Sequence, residues 1–267
     1  MPWSNCRCRP ANRSRGCAGW TSGPERCSAP RFSPHANFAQ VPPTAVQRVL
    51  RQQFGRWGMP QCLRVDNGVP WGNASDLPTL FALWVVGLGV HWHWNDPRCP
   101  QQNPKVERSQ GTGKRWAEPG LCRSVAELQA RLDVADRMQR EVYVTSAGAS
   151  RLELFPALRH SGRTYTAAWE TRAWNLALVE AHLAEYIGVR RVGSGGSVAV
   201  YDRLRYVGRQ YAGQPVLVQY DPLAHVWVLS DAQGKELRRH EAPEINQEII
   251  VKMKFNKVGQ RPECRSS

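Results

Sequence analysis

The sequence predicts an α/β unit followed by an all-β unit, with a helical linker between them. Helix-period and strand-period apolar patterns alternate between residues 37 and 145, and short alternating strands crowd residues 189–253. The linker, residues 146–188, holds an irregular connection and one apolar helix that begins after Asn175. A chain of 267 residues is long enough to give both units a core.

The first 36 residues contain no Leu, Ile or Val, but five Pro, six Arg and four Cys. Such a segment buries too little apolar surface to offset its ordering entropy, which favours a disordered basic leader. A zinc site at Cys6, Cys8, Cys17 and Cys27 is an alternative, although the spacing departs from paired knuckles. The composition is also typical of translation from a shifted frame in GC-rich DNA, upstream of a damaged gene.

The formal charge of +14 is concentrated at the two ends of the chain. Residues 1–65 carry ten Arg against one acid, and the tail after 251 carries five basic residues against one. The middle is nearly neutral, so charge says little about the folded part. No apolar run reaches the roughly 18 residues of a membrane span, and no signal-peptide core is present. We therefore expect a cytoplasmic protein with no membrane contact.

The α/β unit reads as helix, strand, helix, strand, loop and helix. Apolar residues from Val46 to Trp57 recur at helical spacing and end at Gly58, and residues 62–66 form a short strand before Asn67-Gly68. A helix is predicted over residues 76–88 and a strand over 90–94. His91 and His93 then share one strand face, where surface histidines and a metal pair are both compatible with the pattern. Pro104 suits the first turn of a third helix.

Two acids of this unit stand out. Asp66 follows a buried strand, at the end where α/β sheets present functional groups, and Glu107 lies on the helix after the proline-rich loop. Carboxylates that meet in this way suit Mg²⁺ or Mn²⁺ and the two-ion chemistry of phosphoryl transfer. Taken singly, Asp66 also fits an ordinary turn and Glu107 an ordinary solvated helix face.

The runs F-G-R-W-G-M-P with L-R-V-D-N-G, residues 54–60 and 63–68, and P-R-C-P-Q-Q-N-P-K-V-E-R, residues 97–108, resemble two motifs of integrase-type DDE transposases of bacterial insertion sequences. The resemblance covers roughly residues 38–143 and implies part of an RNase H-like catalytic core, with Asp66 and Glu107 as metal ligands. Pro104 stands where the family usually has Gly. The resemblance also implies Mg²⁺ (or Mn²⁺) as cofactor, transposon ends and target DNA as partners, homo-oligomers in intact relatives, and a nucleoid-associated bacterial location.

The family's first acid belongs on the first strand of the sheet, and residues 1–65 contain no Asp. Glu25, the only acid in this range, lies in a segment with no strand pattern. We therefore expect a truncated, catalytically defective transposase. A non-catalytic DNA-binding remnant, acting as a regulator of a full-length transposase, is the alternative, and a fragment without function is a third.

Five short strands with tight turns within residues 189–253 predict a small barrel, which resembles the SH3-like β-barrel of phage Mu-type transposases. A basic tail, residues 254–267, follows. The resemblances imply DNA contacts in both units, although Arg side chains on a hairpin also serve solubility. The expected contacts are Asn67, Lys105, Arg108, Lys114, Arg115, Arg203, Arg205 and Arg209, with Arg190 and Arg191 as further candidates.

Overall fold

The computed structural model describes residues 41–68, 71–72, 76–96 and 104–253. It has mixed α/β content in its first part and antiparallel sheets in its second, as the sequence predicts. The leader, the tail and the loop at 97–103 lie outside the described residues. The helices are α1 (Pro43–Trp57), α2 (Leu80–Gly87), α3 (Pro104–Ala117), α4 (Val125–Arg137), α5 (Arg151–Leu154), α6 (Ala167–Ala173), α7 (Leu176–Ala184) and α8 (Gln247–Lys252). The strands are β1 (Cys62–Val65), β2 (His91–Trp94), β3 (Ile187–Arg191), β4 (Ser197–Val200), β5 (Arg203–Tyr206), β6 (Pro215–Asp221), β7 (Val226–Ser230) and β8 (Glu236–Glu241).

Strands β1 and β2 pair in parallel, with Cys62 opposite His91 and Val65 opposite Trp94, and α2 connects them. Helix α2 begins at Leu80, four residues later than predicted, because the Thr79 side chain accepts a hydrogen bond from the Ala82 N–H and caps the helix. The strand alternation in β2 is confirmed, since Trp92 and Trp94 are buried and His91 and His93 are exposed. This β–α–β unit positions the two acids of interest.

Helix α1 ends at Gly58, which adopts a φ of 74°. A side chain there would be strained by that φ and would also collide with Ser161, because an added Cβ would lie 2.2 Å from its Oγ. The Ser161 N–H donates to the Trp57 carbonyl, and the Met59 N–H donates to the Arg163 carbonyl. The end of α1 is thus fastened to the connection between α5 and α6.

The connection at residues 150–162, predicted to be irregular, contains the short helix α5. Ser150 and Glu153 form a capping box in which each side chain accepts a hydrogen bond from the backbone N–H of the other. The same Ser-x-x-Glu signature begins α4, whose N-cap Ser124 accepts a hydrogen bond from the Glu127 N–H. The prediction missed α5 because the helix is a single turn, with no apolar period to reveal it.

The second part has six strands rather than the five predicted. Hydrogen bonds order them as a four-stranded antiparallel sheet, β3-β6-β7-β8, and a separate hairpin of β4 and β5. Within the described residues this pairing does not close a barrel. The predicted boundary after residue 188 falls inside β3, which pairs with β6 from Ile187 onwards.

One continuous core runs through both parts of the chain. Its buried residues include Phe54, Phe81, Trp84, Val179, Leu183, Val218, Trp227, Leu229 and Ile250. Helix α2 packs against α7 and α8, and α7 packs against β6, so the two predicted units share a hydrophobic interior. In the part of the chain that the model covers, no helix has the length and apolarity needed to cross a membrane.

A buried carboxylate links several helices of this core. Glu170 of α6 accepts hydrogen bonds from the Arg51 Nη2 at 2.7 Å, the Arg51 Nε at 2.9 Å and the Trp84 Nε1 at 2.8 Å, and from the Tyr165 hydroxyl. Burial acts to raise the pKa of Glu170, but these donors outweigh it and hold the pKa below its usual range. The Arg51–Glu170 ion pair therefore stabilises the fold at neutral pH. This contribution is lost as the pH falls through the lowered pKa of Glu170.

We expect Arg51→Met to lower the free energy of unfolding by about 3 kcal/mol at pH 7, because it leaves the Glu170 carboxylate buried without its cation. Arg48→Met, on the exposed side of the same helix, should change it by no more than about 0.5 kcal/mol. Urea unfolding followed by circular dichroism measures both variants. Equal losses in the two would contradict the assigned role of the pair.

Candidate functional site

The first acid lies at the carboxyl end of β1. Asp66 is exposed directly after the buried Val65, and its Oδ1 accepts a hydrogen bond of 3.1 Å from the Gly68 N–H. The predicted turn at Asn67-Gly68 therefore exists, and the aspartate side chain helps to form it.

The end of β2 holds this turn in place. The Asn95 N–H donates to the Val65 carbonyl at 2.8 Å, and the Arg64 Nε donates to the Asn95 Oδ1 at 2.6 Å. Asn67, predicted as a DNA contact, donates its side-chain amide to the Asn95 carbonyl at 2.9 Å. Its observed role is to fasten the Asp66 turn to the neighbouring strand.

The second acid, Glu107, is exposed in the first turn of α3. A carboxylate at this position is favoured by the partial positive charge of the helix N-terminus. Arg108, Lys114 and Arg115 are exposed on the same helix, as a DNA contact would require. Lys105 also lies in the first turn, but its side chain is outside what the model describes.

The two acids meet only some of the requirements of a metal centre. Carboxylate oxygens are the ligands that Mg²⁺ prefers, so the donor type at Asp66 and Glu107 fits. However, no three His, Cys, Asp or Glu side chains of the described residues lie close enough together to hold a metal ion. Among the described residues, Asp66 and Glu107 therefore have no group of three ligands to complete an oxygen cage around two ions.

One of the expected DNA contacts of the second part, Arg205, is buried in the structure. The Arg205 side chain is only 4% exposed and forms an ion pair of 2.5 Å with Glu244, which also accepts a hydrogen bond from the Trp227 Nε1 at 2.7 Å. Burial lowers the pKa of Arg205, and the Glu244 carboxylate counteracts this. Because Arg205 is buried against Glu244, its guanidinium is not accessible to a phosphate.

The other Arg candidates differ in accessibility. Arg209 is exposed in a short 3₁₀ turn, and Arg203 is partly exposed, with its Nε 3.4 Å from the Glu244 Oε2. Arg190 forms an ion pair with Asp76 of the first part, and Arg191 donates to the Gly213 carbonyl at 2.9 Å. Of these four side chains, Arg209 is the best placed to contact DNA.

Sequence reasoning missed a cluster of charged groups where α4 meets α1. Asp136 of α4 is 10% exposed and lies 3.8 Å from Arg140, which is 8% exposed. Burial raises the pKa of Asp136 to about 6. The positive charges of Arg140 and Arg56 lower this pKa and offset part of the effect of burial. The negative charges of Asp133 and Glu141 raise it further. The acids and bases that alternate along α4 are typical of a solvated face, which concealed that two of them are buried.

A scan against models of known protein families finds no family that matches this chain.

We expect Asp136→Asn to stabilise the protein at pH 7.5 by about 1 to 2 kcal/mol, allowing for solvent screening of the carboxylate. Because the pKa of Asp136 is raised in the folded state, the ionised carboxylate lowers the free energy of unfolding above pH 6. This loss disappears below about pH 4, where Asp136 is protonated in both the folded and the unfolded state. The advantage of the variant should therefore grow between pH 4 and 6 in thermal unfolding scans. Asp133→Asn, an exposed neighbour, is the control and should show no such trend.

Proposed function

We propose that this chain is a transposase-like DNA-binding protein of the DDE integrase type that does not carry out strand transfer. The observation that carries the proposal is the order β1, α2, β2, α3. It places Asp66 directly after the first of two parallel strands and Glu107 in the first turn of the helix that follows the second. Each acid lies in the motif that supplies the resemblance to these transposases.

The finer fold assignments belong to this proposal. The parallel β1–β2 pair with its connecting helix is compatible with the later part of an RNase H-like core. The hairpin of β4 and β5, followed by the β6-β7-β8 meander, is compatible with the strand order of an SH3-like element. DNA is the partner, Mg²⁺ or Mn²⁺ is the cofactor of an active relative, and a homo-oligomer is the expected assembly.

Electrostatics favours a binding function over a catalytic one. Metal-assisted phosphoryl transfer needs several oxygen ligands that hold two cations against the scissile phosphate. Asp66 and Glu107 supply part of such a set, and the described residues add no third ligand to them. Lys114, Arg115 and Arg209 are exposed cations suited to the sequence-independent phosphate contacts that dominate DNA affinity.

A non-catalytic regulator of a full-length transposase is the second candidate. Two observations favour this candidate. The exposed basic side chains suit DNA binding, and the described residues contain no group of three metal ligands that catalysis would use. The two candidates differ in what the bound chain does, since a regulator lowers the strand-transfer rate of an active transposase by occupying the same DNA.

The purified chain should give no joined product in a strand-transfer assay with Mg²⁺ or Mn²⁺, using supercoiled target and a range of linear duplex ends. The physical reason is the missing ligand charge around the two cations. A metal-dependent product that is lost in both Asp66→Asn and Glu107→Gln, but kept in the surface control Asp133→Asn, would overturn the proposal.

DNA affinity should fall steeply with salt, and the double variant Lys114→Ala and Arg209→Ala should reduce the slope of log K against log salt concentration by about 2. Each lost phosphate contact releases about one counterion fewer. Fluorescence anisotropy with a labelled duplex measures the slope. The double variant Arg159→Ala and Arg172→Ala removes the same charge from other exposed positions and is the control. An equal slope in both double variants would assign the binding to other residues of the chain.

A further inference from the structure

A π-helical turn, Met138–Val142, directly continues α4. The Tyr143 N–H closes the turn by donating to the Met138 carbonyl at 2.7 Å. Turns of this kind insert one extra residue into a helix and occur often at functional positions. Two consecutive buried residues of the turn, Gln139 and Arg140, contact different neighbours.

Gln139 holds helix α3. Its Oε1 accepts hydrogen bonds from the Ser109 Oγ at 3.3 Å and from the Arg151 Nη1 at 3.5 Å. Its Nε2 lies against Gly113, where an added Cβ would be 3.9 Å away. Ser109 is two residues beyond Glu107, so this contact fixes the part of α3 that carries the second acid.

Arg140 holds helix α1. Its guanidinium carbon lies 3.9 Å from the centroid of the Trp57 ring, and that of Arg56 lies 4.4 Å from the same ring. The Trp57 Nε1 donates to the Gln53 Oε1 at 2.9 Å, which fixes the ring. Arg140 also pairs with Glu141 at 3.2 Å and with Asp136. A desolvated guanidinium stacked on an indole is a strong cation–π contact.

Helices α3 and α4 with this turn form a helical arm, residues 104–142. The arm has a small core of its own, made of Ala117, Leu128 and Leu132, which is separate from the main core. Its position relative to the β1–β2 sheet therefore depends on contacts such as the Arg140–Trp57 stack, because the arm does not share the main hydrophobic interior.

We propose that the π-helical turn is the joint that sets the position of the helical arm on the α/β part, with Arg140 and Gln139 as its positioning residues. Within the arm, Gln139 holds α3 against the turn, and Arg140 holds the turn against α1, which leads directly into β1. It thereby fixes where Glu107 stands relative to Asp66. This consequence for the two acids rests on the proposed function, whereas the joint itself does not.

The test measures distances between spin labels in the full chain, with its eight native cysteines replaced by Ala. Gln52→Cys on α1 and Gln110→Cys on α3 report the position of the arm, and both sites are exposed. Gln52→Cys paired with Gln233→Cys in the β7–β8 turn reports the rest of the molecule. Neither pair involves DNA, metal or activity, so failure of the joint and failure of the proposed function give different results.

In Arg140→Met, the arm distance should shift or its distribution widen by about 5 Å, the rise of one helical turn, while the control pair stays unchanged. Gln139→Leu should have the same effect through α3. Arg140→Lys keeps the charge but loses the planar stack. Its arm distance should lie between the arm distances of Arg140→Met and the parent protein. Arg137→Met, an exposed neighbour on α4, should match the parent.

Two results would overturn the proposal. In the first, Arg140→Met and Arg137→Met give the same arm distance. In the second, the control pair changes together with the arm, which would make Arg140 a residue of the whole fold rather than of a joint. Should Arg140→Met not fold, Arg140→Lys and Gln139→Leu decide by the same criteria.

Discussion

The fold depends on a carboxylate that is taken out of water and fully supplied with donors. Glu170 accepts from Arg51, Trp84 and Tyr165, and Arg51 also donates to the carbonyl of Val251 at 3.0 Å. Glu170 and Arg51 together thereby join α1, α2, α6 and α8. Apolar packing is non-directional, whereas leaving the buried Glu170 carboxylate without its partners costs several kcal/mol. The ion pair therefore sets the mutual positions of helices that lie far apart in the sequence.

The same arrangement recurs at two other buried glutamates. Glu180 of α7 accepts from the Tyr220 hydroxyl at 2.9 Å and contacts the His225 Nδ1 at 2.5 Å, which ties the helix to the four-stranded sheet. Glu244 pairs with Arg205 and so ties the hairpin of β4 and β5 to the segment before α8. Among the described strands, the hairpin and the sheet share no backbone pairing. Side-chain contacts such as the Arg205–Glu244 ion pair therefore hold the hairpin to the rest of the second part.

The sequence predicts most of the local elements and few of these long-range contacts. Helices α1, α3 and α4 and strands β1 and β2 follow from apolar period, caps and turn residues, which are local properties. Strand β5 shows why the rest does not follow. Its alternation suggests that Leu204 is buried and the arginines beside it exposed, yet Leu204 is 74% exposed and Arg205 is buried. The reason is Glu244, whose position 39 residues away no pattern within the strand reveals.

The candidate site shows the same difference between local structure, which the sequence predicts, and long-range contacts, which it does not. Each acid is predicted by its own motif, and the Asp66 turn is built from residues within the motif and from Asn95. The separation between Asp66 and Glu107 is a different quantity, because a helical arm with its own small core carries Glu107. It is set by Gln139 and Arg140, which belong to neither motif, and by the contact of Arg140 with Trp57 at the end of α1. A motif establishes which chemistry the side chains could perform, and the packing around it determines whether they meet.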